Sequence, residues 1–275
     1  MVDPSTSGRG EVMYNLMDVE KFDREIEEKG WVVFRDVLDG SFVDELREDC
    51  LKWIDLCTRY QIMNNINETG DGTAHQAVGG NDSIDKFLDM HIFHDYLLRF
   101  FDGKPYVLNA CTPVGGFPNT NIYIHRVHRD VGIYIKGYWL RINMLVMLDD
   151  FTLENGATRV LSGAHLKEEK PTDKEFDDRC DTILGSCGSV ALFNSYLWHR
   201  GGVNMTDRNR VALTLSFGRP FIKPQLDYAR MLGEEYGRGL SALTRQVLGY
   251  NCRVPTSHDE WYRPVEDRLY QPGQG

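Results

Sequence analysis

The spacing of apolar positions changes near residue 104. Before it, they recur every three or four residues. DVEKFDREIEEKG (18–30) is a short amphipathic pattern stopped by Gly30. SFVDELREDCLKWIDLCTRY (41–60) places Phe42, Leu46, Cys50, Trp53, Ile54 and Cys57 on one helical face, which needs a sheet or helix to cover it. SIDKFLDMHIFHDYLLRFF (83–101) returns to helical spacing, with His91 and His94 as partly exposed helix residues. The run WVVFRDVL (31–38), rich in β-branched and aromatic residues, predicts a strand within this half.

From Pro105 onward, short apolar runs are separated by turn residues. PYVLNACTPV, NTNIYIHRVHRD, GYWLRINMLVMLDD, ATRVLSG, GSVALFNSYLWH and RVALTLSFGRP predict strands, and their spacing predicts a sandwich or barrel. The expected fold class is therefore mainly β with flanking helices. KEEKPTDKEFDDRCD (167–181) reads as a charged, solvated excursion, 224–250 as two short helices and 253–275 as an irregular tail. Residues 1–12 are rich in Gly, Ser and Pro and are expected to be flexible. The polar, glycine-rich stretch 61–82 is long for a simple connection and predicts a binding loop or lid. We read one domain over 13–275: a helical part with a lid (13–104), a β core (105–220), and C-terminal helices with a tail (221–275).

Composition narrows the function. With 31 basic and 41 acidic side chains the net charge is −10, which disfavours a broad phosphate-binding surface and hence nucleic acid. No apolar run approaches the roughly 20 residues of a membrane span. The first ten residues have no apolar signal core, so a cytoplasmic location is expected. Cys50, Cys57, Cys111, Cys180, Cys187 and Cys252 form no C-x-x-C pair and read as free thiols. The expected partner is a small molecule, and composition does not choose between monomer and homodimer.

Candidate chemistry begins at His128 and Asp130. Two residues apart on an extended strand, they project to one face, while His125 projects to the other. His199 ends the run 188–199 at a Gly-Gly turn, and Arg210 opens the next strand. There Arg210, Ala212, Thr214 and Ser216 alternate with Val211, Leu213, Leu215 and Phe217. The first set is a small, polar face that leaves room for a ligand, and an Arg within it offers a planar fork to a carboxylate. Two histidines and one carboxylate form the facial set of non-haem Fe(II) oxygenases. A metal that takes a bidentate 2-oxo acid and an Arg that holds its far carboxylate fit together. The competing reading is a jelly-roll binding protein or cupin-like metal protein without oxygenase activity. A kinase catalytic loop at His128–Asp130 is rejected, because Ile135 stands where that loop has Asn.

In combination, GWVVFRDVL near the start, the H-x-D at 128–130, LDDFTLENGATRVLSGAH (148–165) and WHRGGVNMTDRNR (198–210) resemble the phytanoyl-CoA dioxygenase family of Fe(II)- and 2-oxoglutarate-dependent oxygenases, over roughly residues 20–220. The resemblance implies a double-stranded β-helix, or jelly-roll, core with Fe(II) on His128, Asp130 and His199. It implies 2-oxoglutarate and O2 as cosubstrates, with Arg210 on the distal carboxylate and Thr158 assisting. The implied reaction is hydroxylation of an unactivated C–H bond with release of succinate and CO2; desaturation, epimerisation or cyclisation stay open. Asp130 weighs against a halogenase. Two positions depart from the family pattern: Gly201 stands where many members have a hydroxyl residue, and His125 where some have Gln. His165 resembles a structural turn residue, and Arg129 is expected to face away and pair with a surface carboxylate. His75, Gln76, Tyr123, Arg126 and Arg141 are candidate substrate contacts. A natural-product or sugar-like intermediate is expected rather than an acyl-CoA, since no basic patch suits the CoA phosphates.

Overall fold

The computed structural model describes residues 14–66, 72–118 and 123–274. The flexibility expected for 1–12 and the part of the lid at 67–71 fall outside them. Asp18 accepts the backbone N–H groups of Glu20 and Lys21 and starts α1 (Val19–Glu28), which buries Phe22 and Ile26. Gly30, at φ 84°, turns the chain into β1 (Trp31–Phe34). Asp39 caps α2 (Gly40–Met63), whose buried face is Val43, Leu46, Cys50 and Ile54. The pattern over 83–101 forms two helices, not one. His91 takes left-handed backbone at φ 50° and separates α3 (Ser83–Met90) from α4 (His94–Phe100). Its Nε2 pairs with Thr244 Oγ1 at 2.8 Å, and His94 Nδ1 pairs with the Tyr106 hydroxyl at 2.9 Å, so both histidines are structural.

The β region contains β2 (Val107–Gly116), β3 (Arg141–Met147), β4 (Arg159–Val160), β5 (Asp181–Thr182), β6 (Val190–Asn194), β7 (His199–Arg200) and β8 (Arg210–Gly218). They form two antiparallel sheets, a larger one in the order β1-β6-β3-β8-β2 and a smaller one in the order β5-β4-β7. This is the double-stranded β-helix with flanking helices. Alternation along β8 decides its two faces: Val211, Leu213, Leu215 and Phe217 join the core beneath the helices, and Ala212 joins the core between the sheets. Pro113 is tolerated because β2 is an edge strand of its sheet, with β8 as its one strand partner and Thr73 making an isolated bridge to Val114 on the other side, where the Pro113 carbonyl accepts the Ala74 N–H. A bulge at Asn109 interrupts that pairing. The Asn109 amide donates to the Lys223 carbonyl at 3.1 Å and its own carbonyl accepts from Gln225, which brings the C-terminal segment onto the sheet.

Three expectations change, two of them for strands. The described part of that run, 123–130, does not form a strand; Tyr123–His125 is a 3-10 turn and His128 makes only an isolated bridge. The run 188–199 breaks at Asn194, whose side-chain oxygen accepts the Tyr196 N–H at 2.9 Å and folds a turn. His199 then belongs to the smaller sheet, not to the end of β6. The charged excursion contains a helix, α5 (Asp173–Arg179), with a Thr172/Glu175 capping box and buried Phe176 as its anchor. The C-terminal stretch forms α6 (Tyr228–Arg238) and α7 (Ala242–Val247) as expected, and the tail adds α8 (His258–Trp261). Among the described residues no helix is long and apolar enough to cross a membrane.

Candidate metal centre and cosubstrate pocket

Between the two sheets lies a cavity of about 230 Å3, lined on one wall by Arg210, Ala212, Thr214 and Ser216. These are the small positions of β8. His128, Asp130, His199, Thr158, Arg141 and His75 also face it.

His128 and His199 come together through the backbone, each donating its N–H to the other's carbonyl at 3.0 and 2.9 Å. Asp130 follows, its N–H bound to the Ser195 carbonyl at 3.2 Å. His128 Nε2 lies 3.7 Å from one Asp130 carboxylate oxygen, and His199 Nε2 lies 3.8 Å from the other. All three candidate ligand atoms lie within 4.8 Å of one another. In a facial set with bonds of about 2.1 Å the ligand atoms are about 3 Å apart, so a small contraction closes this set on an ion.

The outer contacts suit a metal. His128 Nδ1 pairs with the Arg126 carbonyl at 2.7 Å and His199 Nδ1 with the Leu197 carbonyl at 2.9 Å. Each Nδ1 must carry the proton to do so, which leaves the Nε2 lone pair free for a cation. Burial lowers the His199 pKa and keeps its ring neutral. Asn143 Nδ2 donates to the Asp130 carboxylate and fixes its orientation. Asn143 was not among the expected site residues. Its signal was a lone amide in the apolar run RINMLVML.

Arg210 is 5% exposed, and its Nε has no hydrogen-bond partner among the described residues. Its guanidinium stacks 4.2 Å from the Phe151 ring centre. Burial pushes its pKa down to about 10, offset in part by Asp149. Asp149 is itself taken up by Arg47 at 3.0 Å and by the Val211 N–H at 2.7 Å. An unpaired buried guanidinium in a cavity is costly unless an anion enters. The donor set and this fork together fit a metal with a dicarboxylic 2-oxo acid.

Two sequence stretches meet to build this end of the site. Gly156 of ENGAT has φ 79°, and a Cβ there would lie 2.4 Å from the Gly202 carbonyl oxygen. A Cβ on Gly202 would in turn lie 2.8 Å from the Ala157 carbonyl oxygen. Only glycines permit this backbone contact, which places Thr158 and His199 on one cavity. At Gly201, Ile124 and His125 fill the space a hydroxyl side chain would enter, each 3.3 Å from a hypothetical Cβ.

The candidate substrate contacts divide. His75 and Arg141 line the cavity. Gln76 does not; it accepts from the Tyr228 hydroxyl and donates to Gln225 at 2.9 Å, tying its loop to the C-terminal segment. Arg126 points to solvent and serves the site only through its carbonyl. The Tyr123 side chain lies outside the described residues. Arg129 faces away as expected but forms no carboxylate pair among the described residues. It donates to the Glu168 carbonyl at 3.2 Å and stacks on Trp198, because an aromatic shelf, not an acid, lies within its reach. His165 is structural: its Nε2 pairs with the Glu27 carbonyl at 3.1 Å and its ring packs against Gly30.

Comparison with known proteins follows this geometry. The profile of the phytanoyl-CoA dioxygenase family, PhyH, matches residues 26–212. The chain belongs to the PhyH family. Members of that family use Fe(II), 2-oxoglutarate and O2. An uncharacterised Mycobacterium tuberculosis protein, Rv1501, is 36% identical over 159 residues, covering 58% of each chain. The match thus spans little more than half the length of that relative. The dioxygenase FUM3 of Gibberella moniliformis is 28% identical over 260 residues, covering 84% of this PhyH chain and 82% of FUM3. Among solved structures, the non-haem α-ketoglutarate-dependent carbocyclase SnoK from nogalamycin biosynthesis superposes with a TM-score of 0.57. It is 17% identical, and the match covers 74% of this chain and 84% of that one. At that identity the likeness concerns the fold.

Proposed function

We propose that the chain is an Fe(II)- and 2-oxoglutarate-dependent oxygenase of small molecules, with His128, Asp130 and His199 on the iron. Arg210 takes the distal carboxylate of 2-oxoglutarate, and Thr158 lines the same cavity. The observation that carries this reading is the buried Arg210, whose Nε has no hydrogen-bond partner among the described residues, in the same cavity as the His-Asp-His set. A metal-binding protein without oxygenase activity has no need of that buried cation.

When bound, Fe(II) couples O2 reduction to oxidative decarboxylation of 2-oxoglutarate and to hydrogen abstraction from the substrate. The residues supply position and dryness. The Arg126 and Leu197 carbonyls hold both imidazoles with Nε2 toward the ion, and Asn143 holds the carboxylate. Phe151 braces the Arg210 fork, while Leu145, Phe193 and Ala212 make the wall apolar. Hydroxylation of an unactivated C–H, with succinate and CO2 released, is the proposed outcome, on a natural-product or sugar-like substrate. Ring closure, the activity named for SnoK, would share the same first step.

The test is anaerobic addition of Fe(II) and 2-oxoglutarate. A weak visible charge-transfer band should form in the wild type and vanish in Asp130→Ala and His199→Ala. No band in the wild type, or its persistence in both variants, would sink the reading. With a substrate in hand, 18O2 incorporation into product separates hydroxylation from cyclisation.

A further inference from the structure

We propose that the primary substrate carries a carboxylate, and that Arg141 binds it. This rests on the oxygenase reading and adds the substrate class. Arg141 opens β3 opposite Gly218, at the end of β8 remote from Arg210. Its guanidinium is anchored on Ser216 through Nε at 3.1 Å and Nη2 at 2.6 Å. Ser216 is six residues, or roughly 20 Å of strand, from Arg210. With its distal carboxylate on Arg210 and its keto-acid end on the metal, 2-oxoglutarate has both charged ends placed without calling on Arg141.

The fork that remains on Arg141 has a defined shape. Nε and Nη2 form the side edge of the guanidinium, and that edge is taken by the Ser216 hydroxyl. Among the described residues Nη1 reaches only the Asp130 backbone carbonyl, at 3.4 Å. The terminal Nη1/Nη2 edge therefore has no carboxylate partner among the described residues, although it faces the cavity. Two parallel N–H groups held still by a neighbouring hydroxyl suit a planar carboxylate. Burial lowers the Arg141 pKa, with Asp130 offsetting it, yet the group stays charged near neutrality.

Charge points the same way. Among the described residues the ionised side chains lining the cavity are Asp130, Arg141 and Arg210. With Fe(II) and dianionic 2-oxoglutarate added, the site retains one positive charge. A monoanion on the substrate neutralises it, and Arg141 is the cation not otherwise engaged.

The experiment uses protein loaded with Mn(II) in place of iron and saturated with N-oxalylglycine in place of 2-oxoglutarate. Acetate, benzoate and cyclohexanecarboxylate are titrated calorimetrically against their primary amides. At least one acid should bind about tenfold or more tightly than its amide. That preference should disappear in Arg141→Gln and persist in part in Arg141→Lys, with N-oxalylglycine and Mn(II) affinities changed less than about threefold in both. Equal binding of acids and amides by the wild type would overturn the proposal. So would weakened N-oxalylglycine binding in Arg141→Gln, which would assign Arg141 to the cosubstrate, or weakened Mn(II) binding, which would make it a support for Asp130. Failure of the wild type to bind N-oxalylglycine would instead overturn the oxygenase reading, and this inference with it.

Discussion

His128 and His199 are joined main chain to main chain, exchanging both backbone hydrogen bonds at 3.0 and 2.9 Å, with ring centres 4.3 Å apart. Neither imidazole is needed to hold the bridge. His128→Ala and His199→Ala should therefore abolish Mn(II) or Fe(II) binding by calorimetry while costing at most about 2 kcal/mol of folding stability. Unfolding of either variant at ambient temperature would mean that the side chains, not the bridge, hold the strands.

Asn143 acts through Asp130. Asn143→Leu removes the donor that orients the carboxylate, and metal affinity should fall about 10- to 100-fold with all three ligands present. Metal titration with a chromophoric competitor reads the change. An unaltered affinity would show that Asp130 needs no orienting partner.

Arg210 makes no direct ion pair among the described residues, and Asp149 offsets its burial only in part. Arg210→Met should leave the metal-loaded protein as stable as the wild type or more so, since it replaces an unpaired buried cation with a side chain of similar length. The same variant should lose the stabilisation that 2-oxoglutarate gives the wild type, about 2.7 kcal/mol at a concentration 100 times the Kd. Thermal melts with and without 2-oxoglutarate measure both effects. A marked fall in melting temperature without ligand would count against the unpaired state.

Gly156 and Gly202 permit the backbone contact between the two stretches that carry Thr158 and His199. Gly156→Ala meets both a positive φ and a carbonyl at 2.4 Å from its Cβ. A loss of about 2 kcal/mol or more is expected, together with weaker metal and 2-oxoglutarate binding. Chemical denaturation and calorimetry on one preparation should show the two losses together.

Burial lowers the His165 pKa from 6.5 to about 4, and its bond to the Glu27 carbonyl only partly offsets this. The unfolded chain therefore binds a proton that the folded chain refuses between those values. The resulting stability is complete above about pH 6.5 and is lost as pH falls toward 4, about 3 kcal/mol across the window. Urea unfolding at pH 5 and pH 7 should show a smaller acid loss in His165→Gln than in the wild type. Equal losses would assign the acid sensitivity to other groups.

Much of the fold was legible because side-chain periodicity reports faces. The alternation on β8 separated Arg210, Ala212, Thr214 and Ser216 from their apolar neighbours, and the structure puts the first set on the cavity. The same reasoning failed wherever a local hydrogen bond overrode a continuous apolar pattern. Asn194 folds a turn inside GSVALFNSYLWH, and His91 breaks what reads as one helix. Both interruptions come from single residues whose side chain or backbone competes with regular structure.

The sequence by itself determined the kinds of donor present, His128, Asp130, His199 and Arg210, and the layered β architecture that can bring them together. Tertiary structure decided which groups meet and which remain unpaired. Arg141 is anchored by Ser216 because antiparallel register sets β3 against β8, and Asn143 reaches Asp130 because Ser195 bonds both the Asp130 N–H and the Arg141 carbonyl. Gln76 and Arg126 are as polar as Arg141, yet one is bound into a staple and the other faces solvent. Residue type fixes what a side chain can donate or accept; only the packing of distant strands fixes whether a partner is there.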